Sequence, residues 1–78
     1  VYILRCSDDT FYTGITTNID RRLNEHNNTN KGAKYTRNRR PVTLIYQEVC
    51  EDRSIASKRE YAIKKLSRER KDMLIANC

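Results

Sequence analysis

The stretch Phe11-Tyr12-Thr13-Gly14-Ile15-Thr16-Thr17-Asn18-Ile19-Asp20-Arg21-Arg22-Leu23-Asn24-Glu25-His26 contains the change of period on which the fold turns. Phe11 to Thr16 is aromatic or β-branched around one glycine and reads as a strand. Thr17 or Asn18 then caps a helix that runs to about Asn27. Along that helix Ile19, Leu23 and His26 recur at i, i+4 and i+7 and share one face. A strand leading straight into an amphipathic helix belongs to a mixed α/β architecture.

Upstream, Val1 to Cys6 is a second run of β-formers, and Ser7-Asp8-Asp9-Thr10 supplies the turn of a hairpin. Loop length decides which side chains share a face, because they alternate along each strand. A two-residue turn at Asp8-Asp9 would pair Leu4 with Thr13 and put Tyr2 and Tyr12 on opposite faces. A three-residue loop, Ser7-Asp8-Asp9, would pair Leu4 with Tyr12 and place both tyrosines on one face.

Downstream, Asn27 to Gly32 is a polar loop, and Ala33 to Arg40 has room for a short helical turn. Pro41 opens a strand over Val42 to Val49, where no ladder donor is required of it. Asp52 caps a long helix over Arg53 to Leu66, with Ile55, Ala56, Ala62, Ile63 and Leu66 as its apolar stripe. Ser67 caps a last helix carrying Met73, Leu74 and Ile75. The expected order is β-β-α-β-α-α: an α/β (α+β) fold with a three-stranded, mainly antiparallel sheet flanked by helices. At 78 residues, one domain spanning 1–78 is expected.

The net charge of +6 is concentrated. Lys31, Lys34, Arg37, Arg39 and Arg40 form a block without an acid, and Lys58 to Lys71 holds seven basic residues against Glu60 and Glu69. Such blocks suit a polyanion, because each neutralised phosphate releases counterions. Basic side chains there can hold phosphates while Tyr35 stacks or packs; Tyr35 is equally a candidate for the core. The cysteines Cys6, Cys50 and Cys78 are odd in number and widely spaced, which disfavours a disulfide framework or a zinc site. No segment approaches the roughly 18 apolar residues of a membrane span, and a cytoplasmic location is expected.

Several residues could carry chemistry. Gly14 within a strand marks either a bulge or the close approach of a nucleic-acid backbone. On the first helix Arg22 falls about 60° from the apolar face, while Arg21 points nearly opposite it. His26 lies on that face, where a packed structural histidine is the commoner case. Glu60 sits at the flank of its helix, where it can reach a cleft or pair with Lys64 at i+4.

Tyr2, then Tyr12-Thr13-Gly14, then Arg22 ten residues after Tyr12, then Glu60 on a later helix together resemble the GIY-YIG nucleases. Gly32-Ala33-Lys34-Tyr35-Thr36-Arg37 through Pro41 looks like the small stand-alone bacterial members. The resemblance covers essentially the whole chain, and joint spacing makes it specific. Departures are Val1 alone before Tyr2, Thr13 in place of isoleucine, and Ile15 where some members carry lysine.

The resemblance implies an endonuclease that hydrolyses phosphodiester bonds with one divalent metal, Mg²⁺ or Mn²⁺. It implies Tyr2, Tyr12, Arg22 and Glu60 as catalytic residues, with Glu60 the metal ligand and Gly14, His26 and Tyr35 secondary. The expected partner is nucleic acid, DNA before RNA, met by a monomer that cuts weakly or selects a structure. The alternatives are a non-catalytic nucleic-acid-binding module on the same fold and a basic protein-interaction module.

Overall fold

A computed structural model describes residues 1–29 and 31–76. Its elements are β1 (Tyr2–Arg5), β2 (Phe11–Gly14), α1 (Ile19–Asn28), α2 (Lys34–Arg37), β3 (Thr43–Gln47), α3 (Arg53–Lys64) and α4 (Arg68–Ala76). The expected fold class holds, with α2 realising the short turn between α1 and β3. The sheet is antiparallel in the order β2-β1-β3. The most apolar strand, β1, is central, and both of its faces are covered.

The hairpin takes the odd-length loop. Leu4 pairs with Tyr12 and Tyr2 with Gly14. The Asp9 amide returns to the Cys6 carbonyl (2.9 Å), and the Cys6 amide bonds the Thr10 carbonyl (2.8 Å). Asp9 closes the loop at φ 67°, a left-handed conformation that Asp tolerates better than most residues. Strand β2 stops at Gly14, earlier than Thr16, because pairing with β1 ends at Tyr2.

Alternation divides the core into two layers. Tyr2, Leu4, Cys6 and Val42 pack with Tyr12, Ile19, Leu23 and Leu44 on the α1 side. Val1, Ile3, Tyr46 and Ile63 pack with Phe11, Ile15, Ile45, Ala56, Leu74 and Ile75 on the α3–α4 side. A register shift between Ile3 and Leu4 against β3 leaves Ile45 as the extra residue, so Ile45 and Tyr46 serve the same layer.

The caps are those the residues suggest. The Asn18 side chain accepts from the Arg21 amide (3.1 Å), Asp52 from Ile55 (2.9 Å) and Ser67 from Arg70 (3.2 Å). The Asn27 amide bonds both backbone groups of Val42 (2.7 and 3.1 Å), which fixes α1 to the entry of β3.

The inner face of α3 differs from the expected stripe. Ile63 is buried and Ala56 and Leu66 partly so, but Ile55 and Ala62 are exposed. Arg59 is partly buried on the inner side instead, with Glu60 at the flank. The cause is Arg59, whose guanidinium clasps the Glu48 carboxylate at 2.8–3.0 Å through three contacts, while Tyr46 donates its hydroxyl to the same carboxylate. That fork sets the rotation of α3. Met73 is also exposed, and Leu74 and Ile75 are the α4 side chains that pack against the apolar core.

Among the described residues no helix is long and apolar enough to cross a membrane. Cys6 and Cys50 are free thiols; Cys78 lies outside the described residues.

Candidate active site

Tyr2, Tyr12, Arg22, His26 and Glu60 come from β1, β2, α1 and α3 and meet around the sheet end at Gly14. The ring centroids of Tyr2 and Tyr12 are 6.4 Å apart, and those of Tyr12 and His26 are 5.2 Å apart. Gly14 has a reason that neither a bulge nor a bound backbone supplies. A Cβ there would stand 2.5 Å from the Tyr2 hydroxyl oxygen and 2.7 Å from its Cζ. The Tyr2 ring lies across the glycine, in a regular stretch of β1–β2 register.

Tyr2 is 2% exposed and His26 fully buried. The Tyr2 hydroxyl and His26 Nε2 are 2.9 Å apart, and His26 Nδ1 lies 2.8 Å from the hydroxyl of buried Thr36 on α2. Two neighbours of Nδ1 ask for opposite tautomers. The Ala33 amide, at 3.3 Å, needs a lone pair there. Thr36 donates to the Ala33 carbonyl (2.9 Å), so its oxygen is left to accept and needs a proton on Nδ1. The shorter contact and the completed chain favour Nδ1–H, with Nε2 accepting from Tyr2.

Burial and the neighbouring charge of Arg22 lower the pKa of His26 to about 4, which makes the ring neutral near pH 7. Burial also raises the Tyr2 pKa, and the charges of Tyr12 and Glu60 act the same way. Arg22 opposes them by hydrogen bonding and charge but does not prevail. Tyr2 therefore stays a phenol that holds its hydrogen bond.

Tyr12 is placed differently. It is partly exposed, stacks on Tyr35 at 6.1 Å, and its hydroxyl has no hydrogen-bond partner among the described residues. Arg22 is partly buried while Arg21 is exposed, as the helical geometry requires. One amino group of Arg22 bonds Glu25 (3.0 Å) and the Lys31 carbonyl (2.8 Å), which aims the rest of the fork at Tyr2. Glu60 stands at the flank of α3, where Lys64 approaches to 3.6 Å. Its charge also reaches the Tyr2 phenol.

The block from Lys31 to Arg40 divides. Lys31, Lys34 and Arg37 are exposed. Arg39 lies over the Tyr35 ring at 4.0 Å and bonds Asp8 and the Tyr35 carbonyl. Arg40 donates to the His26 carbonyl (2.6 Å) and to the Thr29 carbonyl, closing the C-terminal end of α1. Tyr35 is flanked by Arg39 on one side and Tyr12 on the other but stays exposed (39%), so it is not a core residue.

Thr36 and Gly32 have no role assigned by the sequence beyond their place in the stretch from Gly32 to Pro41, yet they position the site. A Cβ on Gly32 would come within 2.8 Å of the α1 backbone at Glu25 and His26, so only glycine lets α2 dock there. The signal available was a glycine two residues before a helix that carries a buried threonine.

The fold is thus a three-stranded antiparallel sheet with two tyrosines, an arginine and a carboxylate at one end. The chain belongs to the GIY-YIG family: its sequence matches the GIY-YIG catalytic domain over residues 1–73. It is similar to small UPF0213 proteins. One from Desulfotalea psychrophila is 67% identical, covering 96% of this chain and 68% of that one. One from Natronomonas pharaonis is 51% identical over 99% of this chain and 89% of that one. The solution NMR structure of the UPF0213 protein BH0048 from Bacillus halodurans matches with TM-score 0.61 at 44% identity, covering 96% of this chain and 79% of that chain.

Proposed function

We propose that this protein is a metal-dependent endonuclease that hydrolyses phosphodiester bonds of nucleic acid, DNA before RNA, as a cytoplasmic monomer. The observation that carries the reading is the difference between the two tyrosines. Tyr2 is buried and bonded to His26, whereas Tyr12 beside it is accessible and its hydroxyl is unbonded among the described residues.

Hydrolysis of a phosphodiester needs a base for the attacking water and counter-charge for the pentavalent phosphorus. Tyr12 takes the role of base: its hydroxyl first gives up its own proton to solvent, and the resulting phenolate oxygen accepts the proton of the attacking water. Arg22, held on one side by Glu25, offers its remaining N–H groups to the phosphoryl oxygens. Tyr2 and His26 hold the ring pair in register.

Among the described residues no three His, Cys, Asp or Glu side chains gather on one point. One carboxylate at a helix flank nonetheless suits Mg²⁺ or Mn²⁺, which keep several water ligands and take others from phosphate. Glu60 would hold that ion, which supplies Lewis acidity and charge neutralisation when bound. Its approach to Lys64 is long enough to be exchanged for an ion.

The second reading, a binding module without catalysis, is favoured by one observation: Ile15 packs into the core and brings no cation to the site. A cleavage assay decides. Labelled single-stranded, duplex, flap and branched DNA, and matching RNA, are incubated with Mg²⁺, Mn²⁺ or EDTA. Metal-dependent cutting abolished by Arg22→Ala and by Glu60→Gln is expected. Salt-sensitive binding by folded protein that cuts none of them would establish the second reading.

A further inference from the structure

The outer edge of β2 carries a groove that extends beyond the residues of the proposed chemistry. It encloses about 210 Å³ and is lined by Phe11, Tyr12, Thr13, Tyr35, Lys64 and Lys71. Tyr12 forms part of its wall, so the groove opens directly from the proposed reaction centre. Its rim is basic from two helices, α3 and α4, which are distant in sequence from the Lys31–Arg40 block.

The two lysines differ in circumstance. Lys64 has Glu60 at 3.6 Å. Lys71 is half-buried and has no carboxylate partner among the described residues. The nearest acid on its own helix, Asp72, faces Arg68 (3.5 Å), which also reaches Asp9 (3.6 Å). Arg68 in turn lies 3.6 Å over the Phe11 ring and adds positive charge at that end of the groove. An ammonium without a carboxylate partner, beside further positive charge, is open to an incoming anion. The remaining walls are the aromatic rings of Phe11, Tyr12 and Tyr35, which suit the apolar faces of a sugar or base.

We propose that Lys71, assisted by Lys64, binds a phosphodiester group flanking the one at Tyr12, so that a nucleic-acid strand runs along the β2 edge. This rests on the nucleic-acid reading above, although not on catalysis. It gives the two basic blocks different tasks: α2 holds one side of the substrate and the α3–α4 lysines hold the continuing strand.

The test separates binding from cutting. Fluorescence anisotropy of a labelled single-stranded DNA oligonucleotide is measured against NaCl concentration in EDTA. The wild type, Lys71→Gln and the exposed neighbour control Arg70→Gln are compared, with thermal unfolding as a check on the fold. Lys71→Gln should weaken binding roughly three- to tenfold and reduce the slope of log K against log salt by about 0.7, one phosphate contact on a single strand. Arg70→Gln should leave the slope unchanged. With Mg²⁺, Lys71→Gln should raise KM and leave kcat near the wild-type value, because a flanking contact is the same in ground and transition states. A wild-type slope in folded Lys71→Gln, or equal losses in Arg70→Gln, overturns the proposal. If the wild type binds but cuts nothing while Lys71→Gln loses its slope, the groove stands and the nuclease reading falls. If the wild type does not bind, both fall.

Discussion

Protonating His26 should loosen the site and the fold together. The ring is fully buried between Tyr2 and Thr36, with Arg22 and Arg40 close enough for their charges to disfavour a cation. Its pKa of about 4 lies below the ordinary 6.5, so the folded state prefers the neutral ring. The sign follows from linkage. The unfolded chain binds a proton on this residue first, so the contribution is intact above pH 6.5 and is lost progressively as the pH falls toward 4. At 1.36 kcal/mol per pKa unit, the full loss is about 3 kcal/mol. That is a large share of the stability of a domain this small.

The structural event is specific. A proton added at Nε2 removes the acceptor for the Tyr2 hydroxyl and points an N–H at the phenolic oxygen. His26 is the chain's only histidine, so its Cε1 proton reports the titration by NMR without overlap. Urea unfolding of the wild type and of His26→Gln, from pH 7.5 to 4, isolates its share from that of the carboxylates. The wild type should lose stability more steeply than the variant between pH 6.5 and 4. An NMR midpoint at 6.5 or above, or parallel pH curves for the two proteins, would refute the reasoning.

Two substitutions probe the frame around that residue. Gly14→Ala drives a methyl group into the Tyr2 ring, which should cost about 1–3 kcal/mol in urea unfolding. It should also slow cleavage by on the order of a hundredfold as Tyr2 leaves its place; full activity with unchanged stability would remove the packing role given to Gly14. Arg40→Ala should lower stability by about 1.5–3 kcal/mol, since it deletes charged hydrogen bonds to the end of α1. The salt dependence of DNA binding should stay as in the wild type, and a slope reduced by about one contact would instead make Arg40 a phosphate ligand.

How far the sequence carries can be seen in the hairpin. The alternation of side chains and the count of residues between Leu4 and Tyr12 left two registers, and the turn residues Ser7-Asp8-Asp9 were compatible with both. Asp9 adopting a left-handed conformation selected the register that puts Tyr2 and Tyr12 on one face. The helix starts at Asn18, Asp52 and Ser67 were legible because a cap acts on amides two or three residues away. Arg22 was separable from Arg21 for the same reason, since both lie on one helix of known pitch.

What the chain alone determined was therefore local: the strands, the capped helices, the basic blocks, and the spacing of tyrosines, arginine and glutamate that marks the family. What only the tertiary structure decided depends on pairs far apart in sequence. The rotation of α3 follows from Arg59 reaching Glu48 across 11 positions, which leaves Ile55 and Ala62 exposed and Glu60 at the flank. The need for glycine at position 14 comes from the ring of Tyr2, and the neutrality of His26 from burial beside Arg22 and Arg40. Arg39 and Arg40 look like phosphate ligands in the sequence, yet their hydrogen bonds are made to Asp8, Tyr35, His26 and Thr29. Hydrophobic period and capping are set by neighbours within one turn, whereas burial, charge and hydrogen-bond partners are set by whatever the fold brings across the sheet.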